Sequence, residues 1–143
     1  MEKHSIQLLD IGVKELRILT ESPPEHGEEI DASLFSLGVG YTDLDEETNI
    51  INVGLKFQNQ KDEESVSKIQ DSNLSELVVE VVGIFQVDTK EFPPDKIEHW
   101  AQNNAPYILI PYLREYVYSL TQRCGFKPLV LPLFKVPTLR VEN

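Results

Sequence analysis

Ser75-Glu76-Leu77-Val78-Val79-Glu80-Val81-Val82-Gly83-Ile84-Phe85-Gln86-Val87 is the stretch on which the fold turns. It is densely β-branched, and its apolar residues fall on both phases of the two-residue strand period, as a strand covered on both faces requires. A central sheet strand is expected over 75–88. Pro93-Pro94 ends it and opens a short helix over 94–104, in which Ile97, Trp100 and Ala101 share a face. Asn104-Ala105-Pro106 breaks that helix, and a long one follows over 106–124, stopped by Gly125 and carrying Pro111 as an expected kink. Its apolar face holds Ile108, Leu109, Tyr112, Leu113, Tyr116, Val117 and Leu120, while Tyr107, Ile110 and Tyr118 put apolar surface on the other side. One sheet cannot cover all of it.

N-terminal to the central strand, Gln60 to Asn73 holds Lys61, Asp62, Glu63, Glu64, Lys68 and Asp71 with only Val66 and Ile69 to bury, and reads as a mobile loop. Phe35, Leu37, Val39 and Tyr41 alternate, as do Ile51, Val53, Leu55 and Phe57 beyond a polar turn, giving a hairpin of strands 31–42 and 49–59. Gly38, Gly40 and Gly54 fall between those positions and leave the opposite face nearly bare. Residues 21–29, with Pro23-Pro24 and Gly27, form a loop. Residues 5–20 form one long strand, and its apolar set changes phase from Ile6 and Leu8 to Ile11 and Val13, then to Leu16 and Ile18, so the strand is bulged. At the other end, residues 126–143 contain Pro128, Pro132 and Pro137 and are expected as an extended tail. The fold class is α+β: a four-stranded antiparallel sheet with a short and a long helix on one face, in a single domain over 1–143.

With 143 residues, 24 acids against 13 bases and a formal charge of −11, the chain suits one core and repels phosphate backbones. Nucleic-acid binding is therefore not expected. Neither is membrane insertion, since no run of about 18 apolar residues occurs and the N-terminus is unlike a signal peptide. Cys124 is the single cysteine, which excludes an intrachain disulfide and suits a reducing, cytoplasmic setting. Motif by motif, no chemistry emerges. His26 stands among Glu25, Glu28 and Glu29 without a second histidine or cysteine, and His99 follows Asp95 by one helical turn as an exposed pair would. Cys124 ends a helix, where the dipole disfavours a thiolate. Neither catalytic residue, cofactor nor metal is expected.

Gly83-Ile84-Phe85 and Asn104-Ala105-Pro106-Tyr107-Ile108-Leu109-Ile110-Pro111-Tyr112-Leu113-Arg114-Glu115 together resemble the SecB family of export chaperones, with its G-I-F strand end and P-x-I-L-F-P-Y-x-R-E helix. Phe126-Lys127-Pro128-Leu129-Val130-Leu131-Pro132-Leu133-Phe134 is similar to the family's F-P-x-L-x-L-x-P-V-x-F stretch, and Lys14-Glu15-Leu16-Arg17-Ile18 to its K-D-I-S-F strand. About residues 75 to 135 carry the match. The resemblance implies a homotetramer, a dimer of dimers in which two sheets join into eight strands and long helices meet. It also implies an ATP-independent holdase in protein export, binding unfolded or partly folded clients along apolar grooves. Those clients are exported preproteins or one dedicated partner, such as an antitoxin of a toxin–antitoxin module.

On this reading Leu77, Val79, Val81, Ile108, Tyr112 and Tyr116 are candidate oligomer contacts, and Leu34, Leu129, Leu131, Leu133 and Phe134 are candidate client contacts. Glu15 matches one acid of the patch that family members present to the SecA motor. Leu19 and Val78 stand where two further acids are expected, so SecA binding is expected to be weak. The family's final helix finds no counterpart after the tail, which raises the alternative of a SecB-fold assembly or binding module without general chaperone activity.

Overall fold

The computed structural model describes residues 1–133 and the short strand at 140–141. Four antiparallel strands form the sheet: β1 (Ile6–Thr20), β2 (Phe35–Tyr41), β3 (Ile50–Asn59) and β4 (Leu74–Val87), in the order β1-β4-β3-β2. A fifth strand, β5 (Arg140–Val141), lies beside β2 and runs parallel to it. The expected four-stranded sheet is present, extended by this two-residue addition.

Register explains the phase changes of β1. Slips between Leu8 and Asp10 and between Val13 and Glu15 bring Ile11, Val13, Leu16 and Ile18 opposite Gly83, Val81, Val79 and Leu77 of β4. Side chains directly opposite share a face, so each bulge returns the apolar set to one side of the sheet. That side carries the helices. On β4 it is formed by Leu77, Val79, Val81, Phe85 and Val87, all buried.

Three helices follow from local signals. The segment expected as a mobile loop, 60–73, instead contains α1 (Glu63–Gln70). Asp62 caps it by accepting a hydrogen bond from Ser65 N at 2.9 Å, Glu64 and Lys68 pair one turn apart at 3.0 Å, and Ile69 anchors it to the core. A 3-10 turn at Pro94–Lys96 leads into α2 (Ile97–Asn103), whose Ile97, Trp100 and Ala101 are buried. Trp100 meets Phe85 edge-on at 4.9 Å between ring centroids. Helix α3 (Ala105–Arg123) passes through Pro111 without a break in its assignment and buries Leu109, Leu113 and Val117 against β3 and β4.

Gly83 sets how closely α3 approaches. A methyl group there would stand 2.8 Å from Leu109 Cδ2 and 2.7 Å from Phe85 Cε2, so the glycine of the G-I-F motif is the floor on which Leu109 rests.

After α3 the chain folds back. Gly125 takes φ +97°, the left-handed conformation favoured just past a helix end. Thr121 Oγ1 donates to Val117 O at 2.9 Å and accepts from Leu129 N at 2.9 Å, so one buried hydroxyl holds the returning segment on the helix. Thr121→Val, which keeps the shape and orphans the Leu129 amide, is expected to cost about 1–3 kcal/mol. Urea unfolding at fixed protein concentration measures it.

Candidate polypeptide-binding and assembly surfaces

The positions singled out in the sequence fall into four environments. Leu77, Val79 and Val81 are fully buried inside the protomer, beneath the helical layer, so they cannot touch a second copy; a strand apolar on both faces does not announce which face its own helices cover. Leu129 and Leu131 are buried as well, because the returning segment docks on α3, and the client-contact expectation for them is corrected on that ground. Leu34 is half-buried and lines a cavity of about 230 Å³ with Phe126 and Ile69. Leu133 is 89% exposed, and Phe134 lies outside the described residues.

Uncovered apolar surface remains on the helix-bearing side. Val13 and Leu16 of β1 point to that side yet are 42% and 47% exposed, because α3 packs over β3 and β4 and stops short of this edge. Ile108 and Tyr112 of α3 are exposed to a similar degree, and Tyr116 is half-buried. Tyr118, on the other side of the helix, is equally exposed.

A groove of about 640 Å³ opens between the end of the β2–β3 hairpin and the start of α2. Leu44, Ile51 and Ile97 give it an apolar floor, and Asp43, Glu46 and Glu98 rim it with negative charge. Tyr41 Oη donates to Glu98 Oε1 at 2.9 Å and accepts from Gln102 Nε2 at 2.7 Å, tying the hairpin to α2. The Gln102 bond favours the phenolate, yet burial and the Glu98 carboxylate outweigh it, so the phenol titrates above its ordinary value and stays neutral. The sequence signal for this groove was the alternation of the hairpin itself, which places Tyr41 and Ile51 on the helix side. What it lacked was the long-range docking of α2.

The opposite, outer face is charged. Glu15 lies directly across from Glu80, and the like charges are offset by Arg17, 2.7 Å from Glu15, by Lys56, 3.8 Å from Glu15, and by Lys14, 4.0 Å from Glu80. Leu19, opposite Glu76, and Val78, opposite Arg17, share this face with Glu15.

The crossover segment between β1 and β2 is held from below. Glu28 accepts hydrogen bonds from Asn73 Nδ2 at 2.7 Å and Asn73 N at 3.1 Å, which hold its carboxyl below the usual range. Lys127 N donates to Glu28 O at 2.9 Å, fastening the returning C-terminal segment to the same loop. Among the described residues no group of three His, Cys, Asp or Glu side chains could hold a metal ion, and no helix is long and apolar enough to cross a membrane.

Comparison with known proteins places this arrangement. The chain is 38% identical over 69 residues to the protein-export protein SecB of Azoarcus sp. (strain BH72), an overlap of 47% of this chain and 44% of that protein. It is 30% identical over 95 residues to the SecB-like chaperone Rv1957 of Mycobacterium tuberculosis, covering 61% of this chain and 52% of that one. The matches thus span about half the length of these curated relatives. Among solved structures, Mycobacterium tuberculosis Rv1957 in complex with a ChAD peptide from the Rv1956 HigA1 antitoxin superposes with a TM-score of 0.63 at 21% identity, over 91% of each chain, a likeness of fold. The family model described as preprotein translocase subunit SecB matches residues 3–136, nearly the whole sequence, and the chain belongs to the SecB family.

Proposed function

We propose that this protein is a SecB-like, ATP-independent holdase that binds non-native polypeptide in the cytoplasm and performs no catalysis. The observation that supports the reading is the uncovered apolar surface on the helix-bearing side, where Val13, Leu16, Ile108 and Tyr112 stand exposed, together with the polar-rimmed groove between the hairpin and α2. An unfolded client offers side chains that a folded one hides, and each buried apolar Å² contributes about 25 cal/mol. No catalytic group is needed. The client leaves when its own folding or a tighter partner competes successfully, so no nucleotide enters the cycle. Titrating the protein with a permanently unfolded, reduced and alkylated polypeptide tests this: saturable binding near one client per oligomer, with no effect of added ATP, is expected. Absence of binding at micromolar concentration would overturn it and leave the assembly-module alternative.

The active form is a homotetramer in this reading. β1 is a sheet edge 15 residues long, and two copies paired there join their four long strands each into one sheet of eight, with β5 at either end; the exposed faces of α3 then bring two such dimers together. The exposed Ile108 and Tyr112 support the second contact. Tyr112→Asp is expected to weaken association at least tenfold, about 1.4 kcal/mol, because a carboxylate must be desolvated there. Light scattering on the purified protein reads it as a fall below four times the 16.3 kDa chain mass, with the far-UV spectrum unchanged.

The client reading leans toward a dedicated partner, such as an antitoxin segment, over handover of preproteins to SecA. On the outer face Glu15 is already engaged by Arg17 and Lys56, and Leu19 and Val78 contribute no charge. A basic motor tail meeting that face finds few free carboxylates, and an exposed ion pair contributes only about 0–1 kcal/mol. Affinity for SecA at least tenfold below that of a typical family member is expected at physiological salt. Submicromolar binding that collapses on Glu15→Ala would reverse this assignment.

A further inference from the structure

At the end of the sheet remote from the Tyr41 groove, α1 stands beside the last residues of β3 and the first of β4 and leaves a trough of about 620 Å³. Ile69, Leu74 and Val78 form its floor and are buried, while Val66 of α1 lines it and is 38% exposed. Leu19, 49% exposed and paired opposite Glu76 of the rim, carries the apolar surface on to β1. Aliphatic surface in a concave place, rimmed by polar groups, has the composition of an interaction site.

The polar groups divide into two sets. Asn59 and Gln60 are spent on the fold: Asn59 Nδ2 donates to Ser75 O at 3.1 Å, Asn59 Oδ1 accepts from Leu77 N at 2.8 Å, and Gln60 Nε2 donates to Phe35 O at 2.9 Å. Gln58 and Gln70 also line the trough and, among the described residues, hold no such bond, so their carboxamides are open to the backbone of a ligand. At the rim Glu21 and Glu76 stand against Lys61. Arg17 lies 3.3 Å from Glu76 but compensates it only in part, since Glu15 holds the same guanidinium at 2.7 Å. The rim is left net negative.

We infer that this trough docks a partner protein through a short amphipathic helical segment, aliphatic on one side with lysine or arginine beside it. The aliphatic residues cover Val66 and Leu19, and the basic ones meet Glu21 and Glu76. Apolar contact supplies most of the affinity, because exposed ion pairs contribute little each, and the charges select a basic segment over an acidic one. Ile51 in the floor of the client groove is about 23 Å from Gln58 along β3, on the other face of the sheet, so a client there leaves the trough open. The protein can then hold a client and be held by a partner at once. The trough stands on its own residues and does not depend on the holdase reading.

The test uses the full chain and a fluorescein-labelled Gly-Lys-Leu-Ala-Lys-Leu-Leu-Lys-Ala-Gly peptide, followed by anisotropy at physiological salt. Val66→Asp is expected to weaken binding at least tenfold and Glu21→Lys at least threefold, with far-UV spectra unchanged because both positions are exposed. A second peptide with glutamate in place of each lysine is expected to bind the intact protein at least tenfold more weakly and to gain at least threefold on Glu21→Lys. Saturating reduced, alkylated polypeptide is expected to leave the lysine peptide bound. No binding of the lysine peptide, or binding that Val66→Asp leaves unchanged, would overturn the docking site. Displacement of the peptide by the polypeptide would place it in the client groove, overturning the docking site while the holdase reading stands.

Discussion

Gly83→Val is expected to leave the chain largely unfolded or loosely packed at room temperature. A methyl at this position stands 2.8 Å from Leu109 and 2.7 Å from the Phe85 ring, closer than carbon atoms approach without displacement. Neither neighbour can give way easily, since both side chains are fully buried. Relief requires moving α3 off the sheet or rotating Phe85 away from Trp100, and the extra branch of valine makes either larger. Overpacking of a core costs about 1–3 kcal/mol for a single group, so alanine is expected at that level and valine above it. The internal control is Gly12→Ala on the outer face, where an added methyl meets nothing within 4 Å; it is expected to be neutral or slightly stabilising. Urea midpoints at one protein concentration compare the three variants. Equal losses at Gly83 and Gly12 would show that strand propensity, not helix approach, governs the motif.

Val79→Asp is the second large effect, and its cause is not assembly. Val79 is wholly buried, between Phe57 on β3 and Leu16 on β1, on the face covered by helices. Among the described residues the basic side chains paired nearby, Lys56, Lys14 and Arg17, all serve the outer face, not the one a carboxylate there would enter. The carboxylate must be buried charged or bind a proton, at a cost of about 4 kcal/mol or more, a large part of the 5–15 kcal/mol that holds a domain of this kind together. Loss of cooperative unfolding is expected at neutral pH, with partial recovery on acidification to about pH 5 as the carboxyl is neutralised. Light scattering alone would misread this as dissociation, so near-UV circular dichroism is needed to show that tertiary packing goes first. A folded Val79→Asp protomer that merely fails to associate would return this residue to the interface.

Much of the fold was legible along the chain because its signals are local. The hairpin follows from alternation at Phe35–Tyr41 and Ile51–Phe57, and the bulges of β1 from apolar phase changes that the register at Asp10 and Glu15 explains. The resemblance across Gly83–Phe85 and Asn104–Glu115 pointed to the family. What was missed depends on contacts distant in sequence. Leu77, Val79 and Val81 look like surplus until α3 is laid on them, and Leu129 and Leu131 look available until Thr121 draws them back. The helix at 63–70 had readable caps in Asp62 and the Glu64–Lys68 pair, but its two apolar residues gave too little periodicity to outweigh its charge. For the candidate site, the hairpin half of the groove was legible and the α2 half was not, because the Tyr41–Glu98 bond joins positions far apart in the chain.

Holding an unfolded protein in solution is the activity at issue, and aggregation of a reduced, unfolded model protein followed by light scattering measures it most directly. One oligomer per client, without nucleotide, is expected to suppress the scattering almost completely, and Ile97→Asp at the groove floor, if it folds, to lose most of that protection. Undiminished aggregation at several-fold excess of the intact protein would mean that the groove does not hold clients.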